Sequence, residues 1–233
     1  MALCNSDADA LIASGAPILC LDTCSVLDLM RDVTRDDLLP ADARAALFIL
    51  SKMEAEQELY ALLAEQVRHE LNDHLVHIQE DAQRAIEKWQ SRTSRVDEIA
   101  AIFGAPARAE ATHLDQHVAR ARSVVDRMIA SAQALRASAD AIPKAFVRMN
   151  KAITPARKGK DSMKDCVVIE SYLDAVSTLR ARGFSSKAVF LSSNTKDYLS
   201  ENNKLRSDLG SEFDALSIEY ASNMRTARHL LGV

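Results

Sequence analysis

Apolar positions along this chain fall into short continuous runs and long three-and-four-spaced series. The short runs lie at 18–21 (ILCL), within 58–67 (ELYALLAEQV), at 188–192 (AVFLS) and in DALSIEYA ending at Ala221. Runs of this length bounded by polar turns predict strands, the first buried and the last at a sheet edge, with helix a competing reading of 58–67. Between them the sequence predicts helices over 23–32, about 40–56, from Asp165 to Gly183, and over a terminal SNMRTARHLL. Helices and strands alternating in this way predict an α/β fold, a three-layer α/β/α arrangement with a central, mainly parallel sheet.

The long series starts at Leu75 and runs through 78, 82, 85, 89, 96, 99 and 103. After FGAPA (103–107) it resumes at 114, 118, 121, 125, 128, 132, 135, 139 and 142. Alternating spacings of three and four mark a coiled-coil-like seam, and Gly104 and Pro106 supply a break. The expectation is one domain over 1–233 with a helical hairpin, 74–142, inserted in it, its arms packed on each other.

Composition narrows the functional classes. A net charge of −4 argues against nonspecific coating of nucleic acid, and 5% aromatics leave little for a base-stacking platform. The start, MALCNSDADALIAS, lacks a basic n-region, and no run approaches the roughly 18 apolar residues of a membrane span. Cys4, Cys20, Cys24 and Cys166 form no CxxC pair, so reduced thiols and a cytoplasmic location are expected. His69 and His74 in HELNDH are five apart, about 140° around a helix, which is not the HExxH zinc pattern. His113 and His117 lack a third ligand, and no phosphate-binding GxxxxGK[ST] loop occurs.

Carboxylates are the informative residues. Asp22 follows the first strand, Glu70 begins the helix after the second, Asp165 opens the helix before the third, and Asp197 lies just past it. In an open parallel sheet the carboxyl ends of the strands form the binding edge, so these four acids converge on one rim. Each alone reads as an ordinary helix cap, dipole partner or solvated turn. Together they form a hard oxygen donor set suited to Mg²⁺ or Mn²⁺. Asp161 competes with Asp165, which is preferred because the apolar helix pattern starts directly after it. Glu170 and Asp174 fall further along the same helix and are expected in local pairing.

The stretches LDTCSVLDL, VRHEL, KDCVVIESYL and VFLSSNTKDYL resemble the PIN-domain nucleases, closest to bacterial PIN-like proteins with a long helical insertion. The resemblance spans 17–73 and 160–221. It implies that Asp22, Glu70, Asp165 and Asp197 are catalytic and metal-binding, with Thr23 and Thr195 the hydroxyls beside the first and last acids. Two departures concern substrate contact: Lys196 stands where an Arg is frequent, and Cys24 where Asn or Ser is common.

A basic stretch precedes the third acid: Lys144, Arg148, Lys151, Arg157, Lys158, Lys160 and Lys164 against Asp161 alone. It reads as a solvated face or as a phosphate track, with Lys144, Arg148 and Lys151 on one helical face. Thr23, Asn194, Thr195, Lys158, Lys160 and Lys164 are the candidate substrate-binding residues. The expectation is a Mg²⁺/Mn²⁺-dependent endoribonuclease in which a metal-activated water, held by the four carboxylates, attacks the phosphodiester in line. By the resemblance it leaves a 5′-phosphate. RNA, or else DNA, is the expected substrate, and no membrane is expected. An antitoxin, a defence-system partner and a homodimer stay open. Two alternatives remain: a PIN-like RNA- or protein-binding module that does not cut, and a haloacid-dehalogenase-type phosphatase with Asp22 as nucleophile.

Overall fold

The computed structural model describes residues 3–55, 58–157, 159 and 161–233. Among these, five strands form one sheet in the order β3-β2-β1-β4-β5, and every pairing is parallel. The strands are β1 (Ile18–Leu21), β2 (Tyr60–Ala64), β3 (Gln133–Leu135), β4 (Ala188–Leu191) and β5 (Ile218–Ala221). All four residues of β1 and of β4 are buried, as a strand covered on both faces by helices requires. The register Leu19↔Ala61 and Leu19↔Val189 seats β1 between β2 and β4.

Helices α1 (Asn5–Ser14), α2 (Thr23–Leu27), α3 (Pro40–Glu54), α4 (Glu65–Ile102) and α5 (His117–Ser131) precede β3. Helices α6 (Ala141–Asn150), α7 (Met163–Ala181), α8 (Thr195–Tyr198), α9 (Ser207–Leu216) and α10 (Met224–Leu231) follow it. Helix α3 packs with α5 and α10, whereas α7 packs with α6 and α9, giving a three-layer α/β/α molecule. Helix α7 ends where the sequence predicts: Gly183 adopts φ 93°, and the Phe184 N–H turns back to the Leu179 carbonyl.

Two expectations along the chain are corrected. The second strand stops at Ala64, and α4 runs without a break from Glu65, so Glu70 sits in its second turn rather than at its start. The second hairpin arm, expected to be helical to 142, ends at Ser131. Residues Gln133–Leu135 instead pair with Leu62–Ala64 as the edge strand of the sheet. A free β2 edge, with its unpaired backbone groups, outweighs the helical preference of Ala and Leu there. The seam itself holds in part. Ala82, Ile86 and Val118 form a small cluster between the arms, but Val96, Ile99 and Phe103 near the end of α4 are exposed.

The chain leaves β1 towards β2 and β3 and returns to β4 on the other side of β1. The strand order therefore reverses between β1 and β4, and in open parallel sheets the edge beyond the carboxyl ends at such a reversal is where ligands bind.

Candidate active site

Asp22 is the first residue beyond β1. Its N–H donates to the Leu191 carbonyl at 3.1 Å, carrying the β1–β4 ladder one step past the strand. Its side chain then turns over the rim and caps α2, with Oδ1 accepting from the Thr23 N–H at 2.8 Å. Oδ2 accepts from the Ser192 hydroxyl at 2.5 Å and from the Cys24 thiol at 3.2 Å. The residue is only 6% exposed. Burial raises the Asp22 carboxyl above its ordinary range and the Glu70 charge pushes the same way, while the hydrogen bonds from Ser192, Cys24 and Thr23 oppose them.

The Cys24 side chain has a defined place in this arrangement. Burial, and then the Asp22 charge, push its thiol up to about 12, so at neutral pH it stays protonated and donates to the carboxylate. Ser192 immediately follows β4, and its carbonyl accepts from Tyr220 Oη at 2.7 Å. The hydroxyl holding Asp22 therefore rests on a backbone fixed by the neighbouring strand.

Glu70 reaches the same rim from α4. Its Oε2 accepts from Thr23 Oγ1 at 2.7 Å and its Oε1 from Gln66 Nε2 at 3.0 Å. Asp165 arrives on α7, whose Tyr172 hydroxyl donates to the Leu21 carbonyl and accepts from the Ala64 N–H. That phenol pins α7 across the carboxyl ends of β1 and β2. Asp165 lies seven residues before Tyr172, about two turns along the same helix face, at the rim. The buried phenol of Tyr198 feels the charge of both Asp22 and Asp165. Burial raises it well above its ordinary value, and the charges of Asp22 and Asp165 push it further. Asp197, 4% exposed in α8, accepts from Asn194 Nδ2 at 2.6 Å and stands 3.7 Å from Arg157 Nε.

Asn194 is thus brought against an acid, and Thr23 against two of them. Thr195 opens α8, its N–H donating to the Ser193 carbonyl at 2.8 Å. Lys164 lies exposed in the first turn of α7, next to Asp165. Lys158 and Lys160 lie outside the described residues. Asp161, the competitor of Asp165, lies just before α7, its Oδ1 accepting from the Met163 N–H at 3.2 Å.

One reading of the basic stretch is overturned. Arg148 is 2% exposed and does not share a solvated face with Lys144 and Lys151. Its guanidinium donates to Glu170 at 2.7 Å, to Glu212 at 2.7 Å and to the Thr154 carbonyl at 2.6 Å. A buried cation is tolerable only with such partners.

Sequence reasoning did not single out Ser192, Gln66 or the approach of Arg157 to Asp197. Ser192 left a signal, a small hydroxyl residue directly after a buried strand beside Asp22's strand. Gln66 left the i,i+4 spacing to Glu70. Arg157 left none, because its loop position depends on the fold.

Two carboxylates coupled in a buried rim, with further acids around Tyr198, form a hard oxygen donor set whose mutual repulsion a divalent cation would relieve. The donor chemistry fits such an ion. Among the described residues, however, no three His, Cys, Asp or Glu side chains are already gathered closely enough to hold one.

Against models of known families, the model described as PIN domain matches residues 19–198. That span begins in β1 and ends at the last residue of α8, so it takes in all four rim acids. No curated protein and no solved structure matches the chain.

Proposed function

The chain belongs to the PIN-domain family, and from that premise we propose that it is a Mg²⁺- or Mn²⁺-dependent nuclease cutting RNA internally. The observation that carries this reading is the coupling of Asp22 and Glu70 across the switch-point rim. Thr23 bridges these residues from α2, with its N–H on Asp22 and its hydroxyl on Glu70. A structural cap would need only the first of those bonds.

On this reading Asp22, Glu70, Asp165 and Asp197 would hold the cation. When bound, such an ion neutralises charge on the phosphate and lowers the pKa of the attacking water. The chain's own groups do the positioning. Ser192 and Cys24 fix the Asp22 carboxylate, Thr23 and Gln66 fix Glu70, and Asn194 fixes Asp197. Arg157, at the Asp197 edge, supplies a cation that can meet a phosphate oxygen. Lys164, and the neighbouring Lys158 and Lys160, would extend the track for the backbone.

The test is cleavage of an end-labelled RNA with Mg²⁺ or Mn²⁺, and with chelator, by the unsubstituted chain and by Asp22→Asn and Asp165→Asn. Loss of cutting in both variants with unchanged circular dichroism is expected. Undiminished cutting in both would refute the site.

A non-cutting PIN-like module that binds RNA or protein is favoured by one observation, that no three candidate ligands are already gathered among the described residues. Calorimetry with Mn²⁺ beside the cleavage assay separates the two readings. The phosphatase reading gains nothing: the position two after Asp22 is Cys24, whose thiol donates to the would-be nucleophile.

A further inference from the structure

Beside the acid rim, at the carboxyl ends of β4 and β5, lies a second cleft of about 340 Å³. It opens between residues 28–39, the start of α3, His117 at the start of α5, and the β5–α10 turn. Its volume falls in the ~300–1,000 Å³ range of small-molecule sites. Two of its wall residues border the acid site: Ser25, lying three residues after Asp22, accepts at its Oγ from the Ser193 N–H at 2.8 Å. The next residue back, Ser192, holds Asp22.

The lining is apolar on its broad surfaces and polar at its edges. Leu29, Val33, Leu38 and Met224 supply the apolar part. The two guanidinium groups in the cleft are already matched by carboxylates. Arg31 sits 2.9 Å from Asp28, and Arg35 sits 2.7 Å from Asp37 and 3.7 Å from Asp28. With Asp42 also in the wall, the cleft has no surplus positive charge and is a poor phosphate trap. His117 is held below the ordinary imidazole range by burial, then by Arg120. It therefore faces the cleft as a neutral ring offering one donor and one acceptor. The Asn223 amide adds a polar group, its oxygen already capping α10 through the Thr226 N–H and its Nδ2 donating one hydrogen to Ser222 Oγ at 3.3 Å.

We infer that this cleft is a nucleobase subsite, which takes an unstacked base of single-stranded RNA lying next to the phosphodiester addressed by the acids. The inference rests on the nuclease reading above and supplies the feature by which that site would grip its substrate. A neutral flat heterocycle has apolar faces for the Leu29–Met224 walls and hydrogen-bonding edges for His117 and Asn223. A phosphate has neither. Bases splayed from a single strand are the usual target of such pockets, whereas a duplex keeps its bases stacked. Scarce aromatics do not exclude this mode, because aliphatic walls also exclude water from a base face.

The test is equilibrium binding, by fluorescence anisotropy in chelator, of a short labelled single-stranded RNA and of an abasic strand of equal length. The full chain should bind the abasic strand about tenfold more weakly, the order expected for removing one base's apolar surface from water. Ala43 is exposed at the lip of the cleft, so Ala43→Trp can fill the space without entering the core. It should weaken the base-bearing strand about tenfold and leave the abasic one unchanged. Leu38→Glu, which places a charge in the wall, should do the same, with folding checked by circular dichroism. Equal binding of the two strands, no effect of either substitution, or no binding at all would overturn the subsite. A strand that binds with this base dependence yet is never cut in Mn²⁺ would support the subsite and sink the nuclease reading.

Discussion

Thr23 Oγ1 donates to Glu70 Oε2 at 2.7 Å, across 47 residues of sequence, while the Thr23 N–H donates to the Asp22 carboxylate. One residue in the first turn of α2 thus sets the spacing between two acids carried by different strands' outgoing helices. The Thr23 side chain is buried and Glu70 is half-buried, so the bond is only partly open to water.

Thr23→Val keeps the shape and removes the donor. A hydrogen bond to a charged group is worth about 1.5–3 kcal/mol, which corresponds to a loss of roughly ten- to a hundredfold if it is realised in the transition state. Thr23→Ser should restore most of the rate. Single-turnover cleavage with Mn²⁺ checks this. Equal rates for the valine and serine variants would assign Thr23 to packing.

Asp22 makes the resting chain less stable as pH rises. Its folded-state pKa is raised by burial and by Glu70, so the folded protein holds that proton to higher pH than the unfolded chain. Stability from this group is therefore full below the ordinary carboxylate value of about 3.9. It declines as pH climbs to the raised folded value and stays lower above it. Asp22→Asn should melt higher than the unsubstituted chain at pH 7 in chelator, with the gap closing as pH approaches 4. Added Mn²⁺ should raise the melting temperature of the unsubstituted chain alone. A variant that melts lower at pH 7 would contradict the assignment.

What the sequence reveals, and what it hides, divides along physical lines. Continuous apolar runs such as Ile18–Leu21 and Ala188–Leu191 report central strands directly, because burial on both faces leaves no polar position. The rim acids are legible for the same reason, since Asp22 and Asp197 interrupt or follow such runs. Strand β3 is hidden because Gln133–Leu135 is three residues of helix-favouring composition, and only the open β2 edge makes it a strand. The burial of Arg148 is hidden because its partners Glu170 and Glu212 stand 22 and 64 residues away. The same holds for Ser192, whose role exists only once β4 lies beside β1.

Tyr198 invites a different kind of test. Its hydroxyl is buried and has no hydrogen-bond partner among the described residues, although the charges of Asp22 and Asp165 bear on it. An unmatched buried hydroxyl costs about 1–3 kcal/mol, so Tyr198→Phe should leave stability unchanged or raise it by up to that amount. The ring packs edge-on to Phe190 at 5.3 Å and is retained in phenylalanine. Urea denaturation gives the stability, and cleavage gives the second readout. A variant that is less stable would mean that the hydroxyl has a partner, such as a bound water.

Arg148 fastens the segment that carries Arg157 to the rim. Its guanidinium ties α6 to Glu170 on α7, to Glu212 on α9 and to the Thr154 carbonyl. Asp208 holds the same Thr154 from the other side, through its N–H and its hydroxyl, each at 2.8 Å. Arg157 follows three residues later and reaches Asp197. Arg148→Met keeps the volume but strands Glu170, itself buried, without its cation. Breaking a buried pair in this way costs about 3–5 kcal/mol, which should appear as a lower urea midpoint. Adding Glu170→Gln removes the stranded charge and should recover a substantial part of that loss, a coupling the double-mutant cycle measures. Additive losses would show that Arg148 and Glu170 act independently. Limited proteolysis gives the link to the site: cleavage after Arg157 should accelerate in Arg148→Met and slow again in the double variant.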